Sequence, residues 1–476
     1  MKLVNFHDFL GRVGRKLEVY GGQRPTPVNL KNLVHFGKFR LFDFISLILI
    51  LGKTEPASKS FDFLRTELPI RMAHMIKECK FLPESLLQTP SVLKVAAIYE
   101  ETLDRVLKYA KCDSKRSSVV SEFTDDLQLI IEQNVNTVAQ VAAALTEMKK
   151  AGECSLEEAT QLQYFLDRFY ISRIGIRTLM TQHVLLYGPV LRENESYVGC
   201  IDPECSPLQL TVSSYGYARL LCHRVYGRAP GCVIELFDRV PRSKKREPLS
   251  SLSISVDKDG KPSGAAELFT DQPNCAELDI RGPNFRFCYI PGHLFHVLFE
   301  LLKNSMRAVV EHRHQDSELP RLHIVICHGR EDVTIKLSDL GGGMPDNVAK
   351  RAFEYTFTTA SHLSPVLGAV DHTQPHGSRG PDNDPESATF SPLAGRGHGL
   401  PLSRLYARYL SGDLKLVSIE NFGSSAFIYL RRLPEEANEL LPIFNRTSKA
   451  VYESPYTLQD WTSRTIRRNH APHVSS

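Results

Sequence analysis

His293-Leu294-Phe295-His296-Val297-Leu298-Phe299-Glu300-Leu301-Leu302-Lys303-Asn304-Ser305-Met306-Arg307-Ala308 separates into two faces when wound as a helix. Leu294, Val297, Leu298, Leu301 and Leu302 recur at steps of three and four and form an apolar stripe suited to a core. His296, Glu300, Lys303, Asn304 and Arg307 recur at similar steps on the other side. That face gathers a carboxylate, a carboxamide and three cationic or potentially cationic groups, which together can hold a metal-bound polyphosphate. Alone, the same stripe is equally what a solvated helix face looks like.

Two later segments favour the first reading. Leu322 to Cys327 and residues 332–338 read as a pair of strands, and Asp339-Leu340-Gly341-Gly342-Gly343-Met344-Pro345 follows at once, so a carboxylate meets a flexible glycine turn. Gly395-Arg396-Gly397-His398-Gly399-Leu400-Pro401-Leu402 then opens a predicted helix from Ser403 to Leu410. Glycines ahead of a helix N-terminus let main-chain N–H groups approach phosphate oxygens, and the helix dipole favours the negative charge. Each glycine cluster is a weak signal by itself.

The order of an Asn-bearing helix, Asp-x-Gly-x-Gly and Gly-x-Gly-x-Gly resembles the ATP site of the Bergerat-fold superfamily, which includes histidine kinases, Hsp90-type chaperones, type II topoisomerases and mismatch-repair ATPases. The wording of residues 298–308, of Phe357-Thr358-Thr359-Ala360, of Pro392-Leu393-Ala394-Gly395 and of residues 400–407 is similar to that of the mitochondrial pyruvate dehydrogenase kinases. The likeness extends to Phe63 to Arg71, Leu166 to Arg173 and Asp460-Trp461, and so spans most of residues 20–465.

This resemblance implies a protein serine kinase that uses ATP and Mg2+ to phosphorylate and inactivate pyruvate dehydrogenase. Asn304 would ligate the metal, Asp339 would accept from the adenine amino group, and Gly341 and Gly343 would shape the turn beside it. Gly395, Arg396, Gly397, His398, Gly399 and Leu400 would wrap the phosphates, with Lys303 and Arg307 offsetting charge. Thr358, Thr359 and Ser424 would border the nucleotide. Glu300 is the expected general base toward an incoming serine hydroxyl, and His296, one turn earlier, would orient it. Ser172, Arg173, Ile176 and Arg177 match the family's pocket for pyruvate-like inhibitors. Here Ile131-Glu132-Gln133-Asn134 replaces the family's Arg- and His-containing turn on the opposite wall, and an acidic Glu132 nearby is expected to weaken inhibition by pyruvate. Expected partners are the α subunit of pyruvate dehydrogenase, the lipoyl domain of the dihydrolipoyl acetyltransferase core and a second copy of the chain, with Asp460 and Trp461 anchoring the tail across the dimer. The mitochondrial matrix is the implied compartment. Lys2, Arg12, Arg15 and Lys16 are offset by Asp8 and Glu18, so the first residues alone make a poor presequence.

Two alternatives stay open, and a third, the histidine kinase, is set aside. A branched-chain 2-oxoacid dehydrogenase kinase shares the site. A histidine kinase needs an accepting His followed by an acidic residue, and neither His74 nor His183 has one. An ATP-binding scaffold or chaperone-like switch needs no transfer at all.

The 476 residues exceed one ordinary core. Long helical patterns at Ser91 to Tyr109, Ser121 to Lys150 and Ser155 to Leu186 suggest a four-helix bundle. Beyond Pro207 strands and helices alternate as in a Bergerat-type α/β sandwich, closed by a hairpin of Leu414 to Ile419 and Ser425 to Arg431 around Asn421-Phe422-Gly423. The expected division is an N-terminal segment 1–24 with possible targeting function, a regulatory helical bundle 25–190, an ATP-binding kinase domain 191–435 and a tail 436–476. Residues 361–391, rich in Pro, Gly, Ser, His and Asp, fall in the expected ATP lid of about 361–394, and their composition predicts disorder without ligand. A formal charge of +4 with no basic stripe argues against nucleic acid as a partner. Ten cysteines without a Cys-x-x-Cys imply a reducing compartment, and Cys200, Cys205, Cys222 and His223 read as free side chains rather than a metal site. The apolar run Leu41 to Leu51 is shorter than the ~20 residues of a membrane span, so no spanning segment is expected.

Overall fold

The helical half of the chain is held by elements whose caps and apolar stripes are local in sequence. It comprises α1 (Phe6–Tyr20), α2 (Leu30–Lys38), α3 (Pro56–Glu78), α4 (Glu84–Leu87), α5 (Pro90–Leu107), α6 (Ser117–Gln133), α7 (Thr137–Lys150) and α8 (Leu156–Tyr187). The structure is a computed structural model and describes residues 6–38, 56–150, 156–189, 196–239, 278–355, 357–359 and 397–453. The run Leu41 to Leu51, the lid, Gly395, Arg396, Asp460 and Trp461 lie outside the described residues.

Thr89 accepts from the Val92 N–H at 3.4 Å and Pro90 takes the first helical position, an arrangement that starts α5 without an orphaned donor. In the segment 1–24, α1 buries Phe9, Val13 and Leu17 and pairs Arg12 with Glu100 and Lys16 with Asp104 on α5. The single helix expected from Ser121 to Lys150 is two. The chain breaks after Gln133 because the Asn134 amide turns back to the Ile130 carbonyl (2.8 Å), while Arg177 and Arg173 of α8 donate to the carbonyls of Ile131 (3.2 Å) and Asn134 (3.0 Å). Carbonyls already satisfied from α8 do not need the next turn of helix. From Phe169 to Val184, α8 is buried on every side, as befits a helix walled in by neighbours all round.

The second half begins with β1 (Asp202–Cys205), α9 (Pro207–Tyr226), β2 (Cys232–Asp238), β3 (Leu278–Arg281), β4 (Phe287–Tyr289) and α10 (Pro291–His312). It continues with β5 (Leu322–His328), β6 (Asp332–Ser338), α11 (Asp346–Arg351), α12 (Gly399–Tyr409), β7 (Asp413–Ile419), β8 (Gly423–Arg431) and α13 (Arg446–Glu453). β1 and β4 pair apart from the main sheet, whose order is β3-β2-β5-β6-β8-β7. Within it β3, β2 and β5 run parallel and the remaining pairs are antiparallel. Alternate residues of the central strands, such as Ile324, Ile326, Val333, Ile335 and Ile428, are buried on one face. α10 packs on β6, α12 packs on β7 and β8, and α10 also packs on both α9 and α12. The architecture is therefore α+β, a helical half joined to a mixed sheet with helices on one face.

The halves share a wall where α12 packs on α8. A buried clasp reinforces it: Arg71 of α3 bonds Glu67 at 2.7 Å and Glu439 at 2.9 Å, and Glu439 also accepts from Val28 N–H (3.2 Å) and the Tyr409 hydroxyl (3.2 Å). Every member of this cluster is hydrogen-bonded, which is the condition under which buried charge is tolerated.

Candidate active site

The apolar stripe of α10 is buried as its spacing requires, and the opposite face lines a cavity of about 590 Å3. His296, Glu300, Lys303, Asn304 and Arg307 meet there with Asp339, Gly341, Gly343, Thr358, Thr359, Gly397, His398, Gly399, Leu400 and Ser424. Volume and composition are those of an ordinary small-molecule site.

Glu300 bonds Lys303 at 2.6 Å, and the ammonium lies 4.8 Å from the centre of the Phe299 ring. Lys303 is only 3% exposed, so the cation expected to offset phosphate charge also anchors the carboxylate. Gly399 opens α12 directly against this carboxylate: any Cβ there would collide with Glu300 Oε2. Glu300 thus sits at the positive end of a helix with no acidic residue in its first turn. The His296 ring lies 4.6 Å from that of Tyr406 on α12. Asn304 makes no side-chain hydrogen bond to another described residue, and its carboxamide oxygen is of the hard donor type that Mg2+ takes alongside phosphates and water. Arg307 is engaged with Glu311 at 2.9 Å, which tempers its charge toward any phosphate.

Asp339 follows β6 directly and lines the cavity, 7% exposed. Its Oδ1 accepts from Gly341 N–H (3.0 Å) and Ser424 N–H (3.3 Å), and its Oδ2 accepts from the Ser305 hydroxyl (2.8 Å). Burial pushes this carboxyl above its ordinary range, and the three donors hold it back. The following turn needs its glycines. Gly342 and Gly343 have φ of +80° and +63°, and a Cβ at Gly341 would strike Ala308 on α10. Ser305, which fixes Asp339, was not anticipated; it follows Asn304 directly, and its neighbour across the turn is 34 residues away in sequence.

Arg173 lines the same cavity, whereas Ser172, Ile176 and Arg177 do not. All four are buried. Glu132 is exposed and its carboxylate accepts from Gln128 (3.2 Å), while Arg173 and Arg177 donate to main-chain carbonyls. The two candidate phospho-accepting histidines are structural. His74 joins the Gln23 carbonyl (2.8 Å) to the Phe444 N–H (3.1 Å), and His183 lies between Ser60 (2.7 Å) and Thr124 (3.0 Å). Burial pushes His183 down to about 4. Among the described residues no group of three His, Cys, Asp or Glu side chains is placed to hold a metal ion, and no helix is long and apolar enough to cross a membrane.

Residues 27–202 match the family described as mitochondrial branched-chain alpha-ketoacid dehydrogenase kinase, and residues 290–436 match the histidine kinase-, DNA gyrase B- and HSP90-like ATPase family. Pyruvate dehydrogenase (acetyl-transferring) kinase, mitochondrial, of Drosophila melanogaster is 35% identical over 96% of this chain and 93% of its own length. The corresponding protein of Ascaris suum is 33% identical, covering 95% of each chain. Isozyme 4 of the Homo sapiens enzyme is 34% identical over 95% of this chain and 92% of its own. Relatives at least 30% identical that cover nearly the whole of both chains show the family: the chain belongs to the mitochondrial pyruvate dehydrogenase kinase family.

Proposed function

We propose that this chain is a mitochondrial protein serine kinase that phosphorylates the α subunit of pyruvate dehydrogenase and thereby switches that complex off. One observation carries the reading: Glu300 and Asn304 stand one turn apart on α10 and line one cavity together with Asp339. Asn304 would hold Mg2+ on the polyphosphate, and the Asp339 carboxylate would accept from the adenine amino group. Gly395, Arg396, Gly397, His398, Gly399 and Leu400 would cradle the phosphates, with Lys303 and Arg307 beside them, while Gly341, Gly343, Thr358, Thr359 and Ser424 would frame the nucleotide. Glu300, held by Lys303 and by the start of α12, would take the proton of the incoming serine hydroxyl as the γ-phosphoryl group transfers in line. His296 would orient it.

The helical half is read as a four-helix regulatory bundle with Ser172, Arg173, Ile176 and Arg177 at its effector pocket. The assembly is read as a matrix homodimer whose tail, through Asp460 and Trp461, helps receive the lipoyl domain of the acetyltransferase core. The match of residues 27–202 to a branched-chain alpha-ketoacid dehydrogenase kinase description supports a second substrate, the branched-chain 2-oxoacid dehydrogenase. The relatives' names favour pyruvate dehydrogenase. Transfer of labelled γ-phosphate from Mg-ATP to each purified dehydrogenase in parallel decides. Label on pyruvate dehydrogenase alone is expected. Label on the branched-chain enzyme moves the substrate, and label on neither, with ATP bound, indicates a nucleotide-driven scaffold.

A further inference from the structure

The cavity is larger than the groups assigned to the nucleotide require. Beyond Glu300 it continues into the helical half, where Val135, Val138, Ala139 and Ala142 line it from the α7 side and Tyr170 and Ile174 from α8. Val138, Ala139 and Ala142 follow the helical repeat on α7, and Val135 stands in the turn just before it. α7 already has a core stripe, in which Val141, Ala144, Leu145 and Met148 are buried. A helix that carries a second apolar stripe, turned to a cavity, is built to meet something other than its own core. Tyr170 gives an independent sign. It is 1% exposed, it lines the chamber, and its hydroxyl has no hydrogen-bond partner among the described residues. A buried hydroxyl of that kind is costly unless an occupant bonds it.

We propose that this chamber receives the apolar side chain of a residue flanking the acceptor serine, with the Tyr170 hydroxyl bonding that segment's main chain. The inference rests on the kinase reading above. A hydroxyl delivered to Glu300 must come within hydrogen-bond reach of it, and the next residue along the acceptor lies only about 3.8 Å away, Cα to Cα. Its side chain therefore falls among the cavity walls. The wall on the α7 side carries no charge, so it accepts Leu, Ile or Met and disfavours Lys, which would lose its hydration there beside the Arg173 cation, while Asp would lose hydration against an apolar wall. Arg173, the charged neighbour, is turned to the Asn134 carbonyl.

The test uses the full-length chain and intact pyruvate dehydrogenase. The labelled serine is mapped first, and each flanking residue of the α subunit is then changed in turn to Leu, Ala and Asp. One flanking position should show kcat/KM about tenfold higher with Leu than with Ala, and lower still with Asp. Filling the chamber with Ala142→Leu, or with Ala139→Leu should the first variant fold poorly, should reverse the order so that Ala exceeds Leu at that position, with ATP affinity unchanged. Tyr170→Phe should raise KM for the protein substrate and leave ATP affinity alone. Indifference to every flanking side chain overturns the proposal while leaving the kinase reading intact. Weaker ATP binding in the filled variants overturns it by assigning the chamber to the nucleotide. Absence of label on the unmodified dehydrogenase removes the kinase reading, and this inference with it.

Discussion

Gly399 shows how one missing side chain sets chemistry. At an ordinary helix start, Gly→Ala changes little or gains slightly in propensity. Here the added methyl would push on Glu300 Oε2, and a displacement near 1 Å at a reacting group costs about a hundredfold in rate. Gly399→Ala is expected to lose phosphate transfer on that scale with the melting temperature nearly unchanged. Asp339 separates stability from binding in another way. Its Oδ1 already accepts two main-chain N–H groups, so in Asp339→Asn the new NH2 must take the Oδ2 place, where the Ser305 hydroxyl can turn to accept it. The acceptor proposed for adenine is then gone, and ATP affinity should fall by about tenfold to a hundredfold. The fold should not suffer. Burial raises the carboxyl's affinity for its proton, so the ionised group disfavours the folded state increasingly as pH climbs from the ordinary carboxylate range through the raised one, and the amide is free of that cost. Calorimetric titration with ATP beside a melting curve checks both halves.

Among the elements, α10 was legible because each of its two jobs repeats at helical spacing, apolar for the core and polar for the site. The Asp339 turn was legible too, since the carboxylate and the glycines that shape it are contiguous. The break between α6 and α7 was not. It depends on Arg173 and Arg177, which reach carbonyls 39 and 46 residues back along the chain, and nothing local in Ser121 to Lys150 announces that demand. The burial of Lys303 was hidden for a similar reason, because sequence shows a polar residue on a polar face and not the Phe299 ring and Glu300 carboxylate that shelter it. The apolar stripe of α7 toward the cavity reads in sequence simply as more core. The clasp that joins α3, α12 and the segment after β8 turns on Glu439, and Glu439→Ala would leave the buried Arg71 guanidinium with Glu67 as its sole carboxylate partner among the described residues and the Tyr409 hydroxyl without its acceptor. That variant is expected to lose about 3–5 kcal/mol in denaturant unfolding. A loss below ~1 kcal/mol would show that water or Glu67 alone can satisfy Arg71.

For the molecule as a whole, pH is a test of how the helical half is tied together. His183 bridges Ser60 on α3 and Thr124 on α6, and burial lowers its pKa to about 4; His293, at the wall between the halves, is lowered to about 3. A histidine depressed in the folded state binds its proton more readily once unfolded. Its stabilising effect is complete above about pH 6.5 and is lost as pH falls toward the folded values, which for His183 amounts to on the order of 3 kcal/mol by pH 4. Melting temperature should drop steadily from pH 6.5 downward, and less steeply in His183→Gln. At this scale one helix, α10, lines the cavity shared by both halves and is expected both to hold Mg-ATP and to move its phosphoryl group. The most direct measurement pairs ATP binding with γ-phosphate transfer to pyruvate dehydrogenase for Glu300→Gln. ATP affinity is expected to stay within about threefold of the unaltered chain and transfer to fall by about 10²–10⁴. Equal loss of both, or transfer that survives, would contradict that role for α10.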